Sequence, residues 1–208
     1  MPRHDFVYLA SQSPRRAQLL TQLGVLHRPL LADADEDAES LEAALKGELP
    51  ADYVPRVTAL KLNAALARLR ARKLPAAPVL SADTTVAIGR RMLAKPADAD
   101  EARAMLQALS GRTHRVITSV AVAGATARKS WLASATSRVR FAVLPAPVIE
   151  HYIASGEPFG KAGAYAIQSA LAGWIEHIEG SHSGIMGLPL FETAQLLRRA
   201  GVAMSLTP

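Results

Sequence analysis

Apolar and polar positions alternate in two distinct rhythms along the chain. Phe6-Val-Tyr-Leu-Ala10 is β-branched and aromatic, which predicts a short strand. Ser13-Pro14 then supplies an N-cap residue and a proline suited to the first helical position. Leu19, Leu20 and Leu23 follow at helical spacing, and Gly24 stops that helix. The chain therefore opens strand, loop, helix. Leu26 to Leu31 reads as a second strand. A helix capped by Asp52 is predicted through Leu69, with Leu62, Leu66 and Leu69 on one face and Pro75 and Pro78 behind it. Residues 79–88 read as one strand, or as two broken near Asp83, and Gly89-Arg90 as a turn. Asp98 to Leu109 reads as a helix. His114 to Ala123 and Ser130 to Phe141 read as two strands joined at Gly124. A short helix from Ala146 to Ser155, a strand from Trp174 to Ile178 and a last helix from Leu188 to Arg199 complete the series. No linker, repeat or low-complexity block interrupts it. Interleaved strands and helices predict an α/β or α+β class with a mixed sheet.

Composition narrows the classes. Half of the 208 residues are hydrophobic and 20% are charged, which excludes intrinsic disorder. The chain has no cysteine, so disulfides, thiolate metal sites and cysteine nucleophiles are excluded. No uncharged apolar run reaches the roughly 18 residues of a membrane span. The N-terminal pattern is not that of a signal peptide. A soluble cytoplasmic protein is expected, with no membrane partner.

The formal net charge is +6, which invites a polyanionic partner: nucleic acid, a phospholipid surface or a phosphorylated small molecule. The charge is segregated. Residues 33–48 hold Asp33, Asp35, Glu36, Asp37, Glu39, Glu42 and Glu48 against the single Lys46. Residues 56–73 hold Arg56, Lys61, Arg68, Arg70, Arg72 and Lys73 and no acid. The later bases, Arg68 to Lys73, read as a solvated helix face.

Four stretches could carry chemistry. Ser11-Gln-Ser-Pro-Arg-Arg16 puts two hydroxyls and two arginines where a strand feeds a helix N-terminus, a place that attracts anions. It lacks the glycines and the Gly-Lys-Ser/Thr ending of a P-loop, and a plain cap with surface arginines explains it equally well. Asp83, in Ser81-Ala-Asp-Thr-Thr-Val86, is a carboxylate in an apolar strand. It must be paired or hydrogen-bonded, bind a metal, or act as a base. Gly160-Lys-Ala-Gly-Ala-Tyr-Ala-Ile-Gln168 permits close backbone approach, punctuated by Lys161 and Gln168; it also suits a tight structural turn. Gly180 to Leu190 reads as a glycine- and serine-rich loop against a helix end. The six histidines show no ligand spacing.

In order and spacing these stretches resemble the Maf-like nucleoside triphosphate pyrophosphatases. The resemblance covers nearly the whole chain. It runs through Leu9-Ala-Ser-Gln-Ser-Pro-Arg-Arg16, Ala82-Asp-Thr84, Lys95-Pro96, Leu109-Ser-Gly-Arg-Thr-His114, Ser155-Gly-Glu-Pro158, Lys161-Ala-Gly-Ala-Tyr165, Gln168, Gly180-Ser181 and Gly187-Leu-Pro-Leu190. It implies one domain over residues 1–208, with an elongated mixed β-sheet flanked by helices and two lobes around a central cleft. It implies hydrolysis between the α- and β-phosphates, a divalent cation (Mg²⁺ or Mn²⁺) and a homodimer. Asp83 matches the general base and a metal ligand, and Glu36 a second metal-holding acid. Ser11, Arg16, Lys61 and Lys95 match phosphate-binding positions, and Lys161 joins the same shell. Arg15, Thr84 and Gln168 match the positions that separate subgroups, and this combination resembles the subgroup acting on dTTP and UTP. A Gln amide offers both donor and acceptor, as the edge of uracil or thymine requires.

Three alternatives stay open at this stage. One is the same chemistry on 7-methyl-GTP or another purine triphosphate. Another is a nucleic-acid-binding regulator, since the family is linked to arrest of septum formation and cell division; aromatic residues at 5% and the lack of a basic–aromatic stacking pattern count against it. The third is a catalytically weakened nucleotide binder. Gly160 stands where the family usually has Asp, and Ala166 and Ser169 replace two family glycines.

Overall fold

The computed structural model describes residues 4–33, 36 and 40–205; Asp35, Asp37 and Glu39 of the acidic stretch lie outside them. Seven strands form one mixed sheet: β1 (Phe6–Leu9), β2 (Leu26–Pro29), β3 (Val79–Ile88), β4 (Arg91–Leu93), β5 (Thr113–Ala123), β6 (Ser130–Phe141) and β7 (Ile175–Glu179). Their order is β2-β1-β3-β5-β6-β7, with β4 paired to β3. The pairings of β1 with β2 and β3 are parallel and the rest antiparallel, so the mixed sheet is as expected. The helices are α1 (Pro14–Gln22), α2 (Pro50–Ala71), α3 (Ala99–Leu109), α4 (Ala146–Ala154), α5 (His182–Met186) and α6 (Leu190–Arg199). No helix among the described residues is long and apolar enough to cross a membrane.

Three local readings are corrected or completed by the structure. α2 starts at Pro50, not Asp52, because Pro50 takes the first helical position behind an extended Leu49. Residues 79–88 form one strand despite the carboxylate in the middle, because β5 pairs with it from Val79 to Ala87. The Gly180–Leu190 stretch contains the short helix α5, capped by Ser181 Oγ accepting from Gly184 N.

β3 is buried on both faces. Successive side chains point to opposite sides, and each side has its own cover. α2 lies over Val79, Ser81 and Asp83, with Leu62 and Ala65 packed among Tyr8, Leu30 and Ala121. α1 and α6 cover Leu80 and Ala82 with Leu19, Leu20 and Leu197. A third cluster joins α3 and α4 to the far half of the sheet through Leu106, Phe141, Ile149 and Tyr165. Burying each such Leu or Phe stabilises by about 2–3 kcal/mol.

The pairing also leaves an opening. β1 reaches only to Leu80 of β3, and β4 pairs only from Val86 onward. Both lie on the edge of β3 away from β5, so Ala82 to Thr85 have no strand neighbour there. Ala82 to Thr84 line a cleft there, together with the β1–α1 loop and Lys95.

One turn beside the cleft depends on its glycine. Gly163 has φ +69°, and a Cβ there would lie 2.9 Å from three carbons of Val86. Its N–H donates to Ala94 O at 3.1 Å, tying the 161–168 segment to the Lys95 loop. Left-handed strain plus overpacking predict that Gly163→Ala destabilises the fold by about 2 kcal/mol. Urea unfolding checks this; a variant as stable as the parent chain would contradict it.

Candidate active site

The cleft has a volume of about 890 Å³ and sits between the three core clusters. Ser11, Arg15, Arg16, Glu36, Lys61, Asp83, Thr84, Lys95, Lys161 and Gln168 all line it, so the fold gathers every site residue expected from sequence around one cleft. Its described lining carries six cations (Arg15, Arg16, Lys61, Arg68, Lys95, Lys161) against four carboxylates (Asp33, Glu36, Glu42, Asp83). Such a surface suits a polyanion.

Asp83 is a buried carboxylate. Its side chain is 11% exposed, and Oδ1 accepts from Lys61 Nζ at 2.6 Å. Lys61 comes from the middle of α2, whose helical spacing also brings Thr58 against β3, where its carbonyl accepts from Ser81 Oγ. The same ammonium donates to Glu42 Oε1 at 2.7 Å. Lys95 Nζ lies 3.3 Å from Glu42 Oε2. A chain of alternating charge, Asp83–Lys61–Glu42–Lys95, therefore crosses the floor. Burial pushes the Glu42 carboxyl upward, but the hydrogen bond and charge of Lys61, with Lys95, outweigh it and hold the carboxyl below its ordinary range. The Tyr53 phenol beside them is pushed up to about 12, first by burial and then by the charges of Asp83 and Glu42.

Arg16 serves as a cross-link. Nε donates to Gly187 O at 2.8 Å, Nη1 to Ser11 Oγ at 3.0 Å and Nη2 to Thr84 Oγ1 at 3.4 Å. Burial lowers its pKa, and the carboxylate of Asp83 opposes that. Thr118 Oγ1 donates to Gly184 O at 2.7 Å, so in its 2.9 Å bond with Thr84 the Thr84 hydroxyl is the donor. With its one hydrogen committed, Thr84 presents only lone pairs to the cleft. Ser11 Oγ also accepts from Ser13 N at 3.2 Å, closing the turn into α1.

The remaining expected residues are placed differently. Glu36 does not reach Lys61: both its oxygens accept from Arg68, at 2.7 and 2.5 Å, and this fork holds its pKa down to about 2. Lys161 Nζ donates to Glu157 O and pairs with its carboxylate. Gln168 is exposed on the rim. Its segment is braced from below, where Tyr152 Oη bonds Ser169 Oγ at 3.0 Å and Tyr165 Oη bonds His114 Nε2 at 2.7 Å. Gly160 has φ +72°, a left-handed conformation that suits glycine, with open space where a Cβ would stand.

Sequence reasoning did not single out Glu42, Arg68 or Thr118. Arg68 overturns the solvated-face reading for that position: its side chain is 8% exposed, and Nη1 donates to Leu30 O at 2.9 Å. Its seven-residue spacing from Lys61, two helical turns, was the available signal. Arg72 likewise pairs with Asp33 at 2.6 Å. The basic helix face thus answers the preceding acidic stretch.

Comparison with known proteins adds to this geometry. Residues 6–200 match the family model described as Maf-like protein. A dTTP/UTP pyrophosphatase of Albidiferax ferrireducens is 61% identical over 197 residues, covering 95% of this chain and 98% of its own. Proteins of the same name are 61% identical over 198 residues in Cupriavidus metallidurans (95% and 98% covered) and 59% identical over 201 residues in Ralstonia nicotianae (97% of each).

Proposed function

Because the chain belongs to the Maf-like family, we propose that it is a nucleoside triphosphate pyrophosphatase that hydrolyses dTTP and UTP to the monophosphate and pyrophosphate. The observation that carries the reading is the Asp83–Lys61 pair, set where β3 lacks a strand neighbour on one edge, in a cationic cleft. Full-length similarity to proteins named dTTP/UTP pyrophosphatase supports the substrate. In this reading the whole chain acts as one domain, in the cytoplasm, with the homodimer that the family resemblance carries.

Asp83 is the general base. Lys61 holds Oδ1, and Oδ2 has no protein donor among the described residues, so a water on that side can give it a proton. The water oxygen bonds to the α-phosphorus while the bond from that phosphorus to the α–β bridging oxygen breaks. Pyrophosphate leaves, and Asp83 takes the water proton. The cations carry the triphosphate's charge. Lys61 and Lys95 face the floor, Lys161 and Ser11 flank it, and Arg16 fixes the β1–α1 turn from which its own guanidinium and Ser11 meet phosphate. Arg15, Thr84 and Gln168 contact the base; Thr84, able only to accept, suits the N3–H of thymine or uracil.

The chemistry also calls for a divalent cation. Among the described residues no group of three or more histidines and acids converges on a point. Two carboxylates do share one ammonium, those of Asp83 and Glu42. Mg²⁺ keeps several waters and takes one or two carboxylates plus substrate phosphates, so the donors present fit it and fit Mn²⁺. When bound, the ion would neutralise charge developing on the phosphoryl oxygens.

Pyrophosphate release from dTTP, UTP, CTP, GTP, ITP and 7-methyl-GTP with Mg²⁺ or Mn²⁺ tests the proposal. Turnover of dTTP and UTP at least tenfold above the others is expected. Preference for a purine triphosphate would overturn the pocket assignment.

A further inference from the structure

We propose that Glu42, not Glu36, is the second carboxylate that holds the divalent cation with Asp83. The inference rests on the pyrophosphatase reading and refines it for this chain's own residues.

Two acids of the acidic stretch reach the cleft lining on opposite terms. Glu36 is held by a forked ion pair: both oxygens lie on Arg68, whose Nη1 donates to Leu30 O. To bind a cation, Glu36 would have to leave an arginine that is 8% exposed and strand it. Glu42 faces the floor. Its Oε1 and Asp83 Oδ1 both contact Lys61 Nζ, at 2.7 and 2.6 Å. The two carboxylates meet at Lys61 Nζ, so a small cation held between them beside phosphate would take the place of that ammonium.

The main chain around Glu42 is built to keep it there. Tyr53 Oη donates to Glu42 O at 2.9 Å, and Arg56 Nη2 donates to Ala43 O at 2.9 Å. Arg56 is itself clamped by Glu48 at 2.6 and 2.7 Å. Glu48 also accepts from Leu45 N at 3.0 Å, which closes the segment onto the start of α2. Glu42 is thus presented by a braced loop, with its carboxylate 32% exposed toward the cleft. Lys95 on its other oxygen places a phosphate-binding cation beside the same carboxylate. That is the neighbourhood in which an ion would meet both a protein oxygen and a phosphoryl oxygen.

The test is Mn²⁺ binding, followed by loss of the free-ion electron paramagnetic resonance signal, in the presence of the non-hydrolysable α,β-imido-dUTP. Thermal unfolding of each variant runs alongside. The wild-type chain is expected to take up Mn²⁺. Glu42→Gln is expected to weaken uptake at least tenfold, and Glu42→Asp to restore part of it. Glu36→Gln is expected to keep wild-type Mn²⁺ affinity while losing some thermal stability with the Arg68 fork. Wild-type affinity in Glu42→Gln, or the large loss in Glu36→Gln, would overturn the assignment. If those results appear in a chain that still releases pyrophosphate from dTTP and UTP, only the assignment falls. If the wild-type chain neither binds the analogue with Mn²⁺ nor releases pyrophosphate, the pyrophosphatase reading falls with it.

Discussion

Replacing Asp83 by Asn is expected to lower the turnover of dTTP about a thousandfold while leaving the metal-free binding of a non-hydrolysable analogue intact. Asn has nearly the shape of Asp but cannot take a proton, so it removes the base without opening a cavity. Loss of a positioned base costs 10²–10⁴-fold, and a thousandfold loss corresponds to about 4 kcal/mol of barrier. The fold should survive. Lys61, side chain 20% exposed, keeps Glu42 at 2.7 Å, so the substitution strands no buried cation. Without a divalent cation, removing a negative charge from a triphosphate site also predicts analogue affinity equal to or above wild type. Single-turnover rates together with analogue titration separate the two effects. A variant within tenfold of the wild-type rate would show that the proton goes elsewhere.

The second large effect is on stability in mild acid. His114 is 2% exposed on β5, stacked on Phe141 at 5.5 Å and edge-on to Tyr165 at 5.4 Å. Its Nε2 bonds Tyr165 Oη, while Nδ1 has no partner among the described residues. Burial pushes its pKa down to about 4, so the folded chain holds the ring neutral. In the unfolded chain the ring protonates near pH 6.5. Between those values the unfolded state binds the extra proton, so stability is full above about pH 6.5 and falls as pH drops toward 4. The expected loss is about 2 kcal/mol by pH 5 and about 3 kcal/mol by pH 4. This window lies above that of the Glu36–Arg68 pair, whose carboxyl pKa is near 2. Urea unfolding at pH 7, 6 and 5 measures the slope. His114→Asn should be less stable at pH 7 but nearly flat from pH 7 to 5. An equal slope in that variant would assign the acid sensitivity to other groups. Tyr165 lines the cleft beside Lys161, so the same protonation is expected to loosen the segment that carries Gln168.

Much of this molecule is legible in the residues alone, and the reasons are local. Ser13-Pro14, Gly24 and the Leu19–Leu20 pair mark α1 because capping, proline geometry and helical spacing act within a few residues. The pair β5 and β6 is legible from two long β-prone runs around Gly124. The unity of β3 was not decided, because a buried Asp in mid-strand argues for a break unless its partner is known. That partner, Lys61, lies 22 positions away on α2. The α2 start was misjudged by two residues because Asp52 is a good cap, yet Pro50 was better placed to begin the helix.

The site shows the same division. Asp83, Lys61 and the Ser11–Arg16 turn stand out as residue types out of keeping with their surroundings. Glu42 does not, because it is one of seven acids in a stretch and its identity depends on a loop folding back over α2. Arg68 is disguised in the same way among neighbouring bases. Charge runs hide their functional members, since pairing across two elements, not composition, decides which charges face the cleft.

The central claim is that this cleft delivers water to the α-phosphorus of a pyrimidine triphosphate. Hydrolysis of dTTP in ¹⁸O-labelled water, with both products analysed by mass spectrometry, tests it most directly. The account predicts one labelled oxygen in dTMP and none in pyrophosphate. Label in the pyrophosphate, or release of orthophosphate and dTDP, would contradict it.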